Sequence, residues 1–166
     1  MYNRRMVQRV GIPAVIVCTL IAAGCRSRIV EKDLRIVEVR TGWYDTGIVG
    51  GQNKLVPSVT FKLENVSQEA IKNVQLNAVF RGLDQPDKSW GDHLVRAIDS
   101  NGLDAGATSG PLVLRSPFGY TSTEPRLTML EHSQFVDAKV DIFGRHRSRP
   151  WAKMGEFMID RQLLTE

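Results

Sequence analysis

The chain has 166 residues, 24% of them charged, with 22 Lys and Arg against 18 Asp and Glu for a formal net charge of +4. That length suits one ordinary domain, and the hydrophobic share of 42% is enough to build a core, which excludes a disordered or purely solvated chain. Only two cysteines occur, Cys18 and Cys25, which excludes a disulfide-dense scaffold.

The chain opens with a basic part, "MYNRR" and "QR", followed by an apolar run over residues 10–23, "VGIPAVIVCTLIAA". A spanning helix needs about 20 apolar residues, and Pro13 would disturb a long one. Positive charge, a short apolar run and then small residues is the order of a secretory signal peptide. Within it Ala22, Ala23, Gly24 and Cys25 resemble the lipobox of bacterial lipoproteins. The resemblance implies cleavage between Gly24 and Cys25, a diacylglyceryl group on the Cys25 thiol and acylation of the new amino terminus. A plain signal peptide or an uncleaved anchor is the alternative. In the enterobacterial sorting pattern an aspartate after the cysteine retains a lipoprotein at the inner membrane. Arg26 stands there instead, which implies the outer membrane, facing the periplasm, for a Gram-negative source.

Loss of residues 1–24 would remove Arg4, Arg5 and Arg9, leaving 19 basic against 18 acidic residues and a charge of about +1. So balanced a chain offers no concentrated basic face for nucleic acid, and none is expected as a partner. Cys18 would leave with the signal and Cys25 would carry lipid, so no thiol would remain for a disulfide, a zinc site or a nucleophile. The remaining 142 of the 166 residues make one domain. Residues 25–33 read as a charged, lipidated tether and 34–166 as the folded unit.

From there the dominant period is two. "DLRIVEVRTGWYD" predicts an opening strand. "PSVTFKLENVS" sets Val59, Phe61 and Leu63 on one face, and "IKNVQLNAVFRG" does the same with Val74, Leu76, Ala78 and Phe80, so the two read as neighbouring antiparallel strands. "HLVRAID" and "GPLVLRSPFGY" follow, "EPRLTMLEHS" holds a short helical turn, and "QFVDAKVDIFG" carries Val136, Ala138, Val140 and Ile142 in phase. "KMGEFMIDR" returns along it. Gly and Pro punctuation, as in "GIVGGQN" and "SNGLDAGATSGP", separates the runs. The expected fold class is all-β, an antiparallel immunoglobulin-like sandwich of seven to eight strands behind a signal-peptide helix. "VTFKLENVSQEAIKNVQLNAVF" with the later "GLDAGATSGPLVL" resembles the FxLyD type of bacterial envelope domain, with Asn65, Ser67, Val74 and Gly106 in the comparable places. The aromatic signature of that family is absent, and the likeness implies fold rather than function.

Candidate chemistry is sparse. His93, His132 and His146 have no histidine partner at metal-ligand spacing, "GATSG" misplaces the serine of a nucleophile elbow, and "DSNGLDAG" lacks the calcium-loop pattern, Asn101-Gly102 reading as a hairpin turn. No catalytic residue, metal or cofactor is expected. Asn65-Val66-Ser67 completes a glycosylation sequon but reads as a turn. The loop "GRHRSRPW" gathers Arg145, His146, Arg147, Arg149 and Trp151, either an ordinary solvated hairpin loop or a contact for anionic headgroups or an acidic partner. Phe118 and Tyr120 in "SPFGY" read as core, or as a presented loop pair. The expectation is a membrane-anchored, non-enzymatic envelope module with a protein partner. The alternatives are an accessory lipoprotein of an envelope transport system and a periplasmic hydrolase with a non-motif site. A recess joining His93 or His132 to several carboxylates would favour the enzyme, and an exposed strand edge or apolar patch a partner.

Overall fold

The computed structural model describes residues 29–164, so Gly24 and Cys25, with the rest of the expected signal and lipidation site, lie outside the described residues. Strand β1 (Leu34–Val49) and β2 (Gln52–Asn65) form a long hairpin. Its turn is Gly50-Gly51 at φ 59° and 81°, the doubly positive geometry that a two-residue hairpin turn requires and glycine supplies without strain. "GIVGGQN" is therefore mostly strand. Gly47, at φ 89°, absorbs one extra residue as a bulge between Asp45 and Ile48, and the ladder continues past it.

The remaining elements are β3 (Val74–Gly82), β4 (Ser89–Ile98), β5 (Leu112–Arg115), β6 (Tyr120–Ser122), a helical turn α2 (Arg126–Glu131), β7 (Ala138–His146), β8 (Ala152–Met158) and β9 (Leu163–Leu164). One sheet runs β5-β2-β1-β9, with β6 continuing along β2 beyond β5, and the other runs β4-β3-β7-β8. Strands β1, β2 and β5 stand as A, B and E of an immunoglobulin-type sandwich, and β4-β3-β7-β8 as C′-C-F-G. The structure is an all-β sandwich. The expected single strand in "GPLVLRSPFGY" is two, because the chain breaks step at Ser116–Gly119 before pairing with β2 again. β4 and β5 belong to opposite sheets, so Asn101-Gly102 turns inside a crossover rather than a hairpin.

The core follows the period-two pattern except at Val136, which is half-buried ahead of β7. Val59, Phe61 and Leu63 from one sheet face Val74, Leu76, Ala78 and Phe80 and Ala138, Val140 and Ile142 from the other, all fully buried. Each large apolar side chain so buried contributes roughly 1.5–3 kcal/mol.

Residues 30–33 of the expected tether belong to the folded unit. Residues Val30–Asp33 form a helical turn, α1, in which Ile29 N–H donates to the Asp33 carboxylate at 3.1 Å and the Asp33 carbonyl accepts from Val66 N–H at 3.0 Å. Val30 is buried against Gly144, where an added Cβ would lie 2.8 Å from Val30 Cγ1. The hydrophobic gain of seating Val30 draws the turn onto the sandwich, so the folded unit includes it.

Strand directions give the domain two ends. Near Ile29 lie α1, residues 66–73, the crossover 99–111 and the β7–β8 loop 147–151. The opposite end carries the Gly50-Gly51 turn, residues 83–88, α2 and the chain from 159 to 164.

Candidate functional site

At the Ile29 end the predicted basic loop separates into two roles. Arg145 Nε donates to Gln75 Oε1 at 2.8 Å, and its guanidinium lies 4.5 Å from the centre of the Trp151 ring, so it is a half-buried brace. Arg147 adopts φ 54° and donates its backbone N–H to the Asn73 carbonyl at 3.0 Å, while Arg149 N–H donates to the His146 carbonyl at 3.1 Å. Those bonds shape the hairpin and leave the Arg147 and Arg149 side chains exposed, with His146 half-buried behind them. Arg149, Pro150 and Trp151 line a recess of about 270 Å³ together with Ile29, Val30 and Glu31. The loop is therefore immediate neighbour to the first described residue, a juxtaposition that spacing along the sequence does not display.

The same end is tied together by Asn65, which is fully buried. Its amide nitrogen donates to the carbonyls of Glu69 at 2.9 Å, Leu103 at 2.8 Å and Asp104 at 3.0 Å, and its Oδ1 accepts from Ser67 N–H at 3.0 Å and Ser67 Oγ at 2.7 Å. One side chain thus joins β2, the β2–β3 connection and the crossover. With its nitrogen committed in three directions, the Asn-Val-Ser triplet is a structural turn, as its reading in the sequence had it.

The opposite end carries a cluster of rings. Trp43 is fully buried, with ring centroids 4.5 Å from Phe135 edge-on, 5.6 Å from Tyr120 and 6.3 Å from Trp90. Tyr120 stacks on Phe135 at 4.5 Å and accepts Val136 N–H on its hydroxyl at 2.7 Å; burial pushes its phenol above the ordinary value. Arg161 covers Phe135 at 5.2 Å and donates to Asp137 at 2.6 Å and to the Phe135 carbonyl at 3.0 Å. Two open recesses flank Tyr120. One, of about 410 Å³, is lined by Lys88, Trp90, Gly91, Phe118 and Gly119, and the other, of about 220 Å³, includes Glu124, Met129, His132 and Phe135. Tyr120 packs inward while Phe118, 65% exposed, is presented, so the "SPFGY" pair divides between its two readings. Ile48 at 70%, Val49 at 51% and Leu127 at 62% exposed add large apolar side chains at this end.

The histidines have structural company. His93 Nδ1 accepts Arg115 N–H at 3.1 Å and so links the edge strands β4 and β5 of opposite sheets. His132 Nδ1 accepts Gln134 N–H at 3.2 Å, and Glu124 is the one carboxylate in the lining of its recess. Among the described residues no group of three or more His, Cys, Asp or Glu converges on a point, and no helix is long and apolar enough to cross a membrane. On the outer face of the second sheet Arg81 and Lys153 pair with Asp141, and Lys153 and Lys139 pair with Glu156. Hydrogen bonding, first to Lys153, then to Asp141 and Lys139, holds the Glu156 carboxyl down at about 2.

No family model matches the chain, and no curated protein matches it. Among solved structures, a crystal structure of a Northeast Structural Genomics Consortium target, SoR45, is similar at 12% identity. The match covers 79% of this chain and 89% of that one, with a TM-score of 0.43.

Proposed function

We propose that the chain is exported, acylated at Cys25 and held by that lipid at the outer membrane facing the periplasm, and that its sandwich serves there as a non-enzymatic binding or assembly module. The observation that carries the reading is the polarity of the domain. The chain enters at Ile29, beside the start of β1, whereas the exposed Ile48 and Val49 stand at the other end of that strand. At about 3.3 Å per residue, β1 separates the two ends by up to roughly 50 Å. An anchor at one end and large exposed apolar side chains at the other suit a protein that holds a docking surface away from a membrane. Two or three acyl chains supply the lasting attachment that one cannot, each buried methylene contributing about 0.8 kcal/mol.

Cys25→Ser tests the anchor: fatty-acid labelling is expected to vanish and unprocessed precursor to accumulate, and normal labelling of the variant would overturn it. Photo-crosslinkers at Ile48 and at Phe118 test the module. Discrete protein adducts are expected from these positions and not from the outer-face position Glu156, and their absence in the native membrane would overturn the binding role.

A further inference from the structure

The basic loop and the chain's point of entry meet at one place, and this bears on how the domain sits on its membrane. We propose that the β7–β8 loop is a second membrane contact, in which Arg147 and Arg149 take the phosphates of anionic phospholipid headgroups and Trp151 lies at the interface. The inference rests on lipid attachment at Cys25.

Three observations support it. The first is reach: the four steps from Ile29 back to Cys25 span at most about 14 Å at 3.3–3.6 Å each, so a lipidated Cys25 holds the recess shared by Ile29, Arg149 and Trp151 within that distance of the bilayer. The second is charge. Arg147 and Arg149 are exposed, and in the sequence Arg26 and Arg28 stand between Cys25 and Ile29. Glu31 lies in the same recess, whereas Asp33 is turned onto Ile29 N–H. Of the other carboxylates of this end, Asp99 and Asp104 belong to the crossover leaving β4, at the far edge of the sheet from β8, and Glu69 belongs to the β2–β3 connection.

The third is the division of labour within the loop. Arg145 is spent on Gln75 and on the face of Trp151, which leaves the Trp151 ring braced and partly exposed, while the two arginines that make no brace point to solvent. A guanidinium presents paired donors to a phosphate, and tryptophan favours the headgroup level. Each arginine near an anionic surface is worth about a factor of five, so the pair is worth about twenty-five-fold in occupancy of the docked state.

The test uses the lipidated chain purified from membranes and placed in vesicles of brominated phosphatidylcholine, with or without phosphatidylglycerol. Emission from Trp151 is isolated as the difference between the wild type and Trp151→Phe. Quenching is expected in vesicles containing phosphatidylglycerol, with its loss in phosphatidylcholine alone, in high salt, and in an Arg147→Asn/Arg149→Ser variant. Asparagine is chosen because it tolerates the left-handed backbone at residue 147. Near-ultraviolet dichroism of the buried Trp43 cluster reports whether the variant is folded. Mass measurement of the N-terminal peptide separates the two claims. Lipid on Cys25 with an unquenched Trp151 overturns the loop contact and leaves the anchor standing, as does equal quenching with and without phosphatidylglycerol. An unmodified Cys25 overturns the anchor and this inference with it.

Discussion

Asn65→Ala removes a single buried amide and is expected to unfasten one end of the sandwich. The loss can be worked from its partners. Its nitrogen serves three carbonyls, each of which has a second donor: Ile71 N–H on Leu103, Ser67 Oγ on Glu69 and Ala107 N–H on Asp104. None is stranded by the substitution, so the two amide protons shared among the three carbonyls count at a net value of about 1 kcal/mol each rather than at a full desolvation penalty. Adding the two contacts from Ser67 to Oδ1 brings the loss to about 3–4 kcal/mol, a large part of the roughly 5–15 kcal/mol that a domain commands. Urea unfolding followed by tryptophan fluorescence should show the midpoint fall with its slope unchanged, and thermal melting should drop by roughly 10 °C. Asn65→Asp should cost at least as much, because it keeps the shape but aims an acceptor at three carbonyls, whereas Ser67→Ala should cost only about 1 kcal/mol. A loss below about 1 kcal/mol in Asn65→Ala, or a mild Asn65→Asp, would refute the claim that donation from this amide holds the end together.

Two further perturbations address other parts of the molecule. Gly119→Ala would set a Cβ against the Leu55 carbonyl oxygen, and since backbone meets backbone there, we expect at least about 2 kcal/mol of destabilisation in the same unfolding assay; a neutral substitution would refute the tight crossing of β2. Glu156 ionises near 2 when folded, below its ordinary value of 4.5, so its contribution is present above pH 4.5 and lost as pH falls toward 2. Glu156→Gln, or high salt on the wild type, should flatten stability over that window, and an unchanged acid slope would show that the outer-face ion pairs are inert.

How much of this was legible in advance depended on the kind of information. Alternation in "VTFKL", "VQLNAVF" and "AKVDI" named core positions that are fully buried, because a strand with one wet face writes its environment into every second residue. Glycine was the poorer guide. In "GIVGGQN" it suggested a broad loop, yet Gly47 is a bulge inside a continuing ladder and only Gly50 and Gly51 turn. β9 pairs over just two residues, too short for any pattern. The basic loop was visible as composition, but its nearness to Ile29 follows from sheet order and from Val30 packing against Gly144. The ring cluster was invisible for a related reason: Trp43, Trp90, Tyr120 and Phe135 come from four separate segments and share no period.

The closing stretch of the described chain has a consequence for when the fold can form. Gln162 returns its side-chain amide to the Thr41 carbonyl at 2.7 Å, its carbonyl accepts Trp43 N–H at 2.8 Å, and Asp160 N–H reaches Thr41 Oγ1 across 119 positions. In a chain made from its amino terminus, these partners of Thr41 and Trp43 emerge more than a hundred residues later. Until then the margin of β1 is an unsealed template for foreign strands, and the interval between synthesis and closure is when this molecule most needs a chaperone.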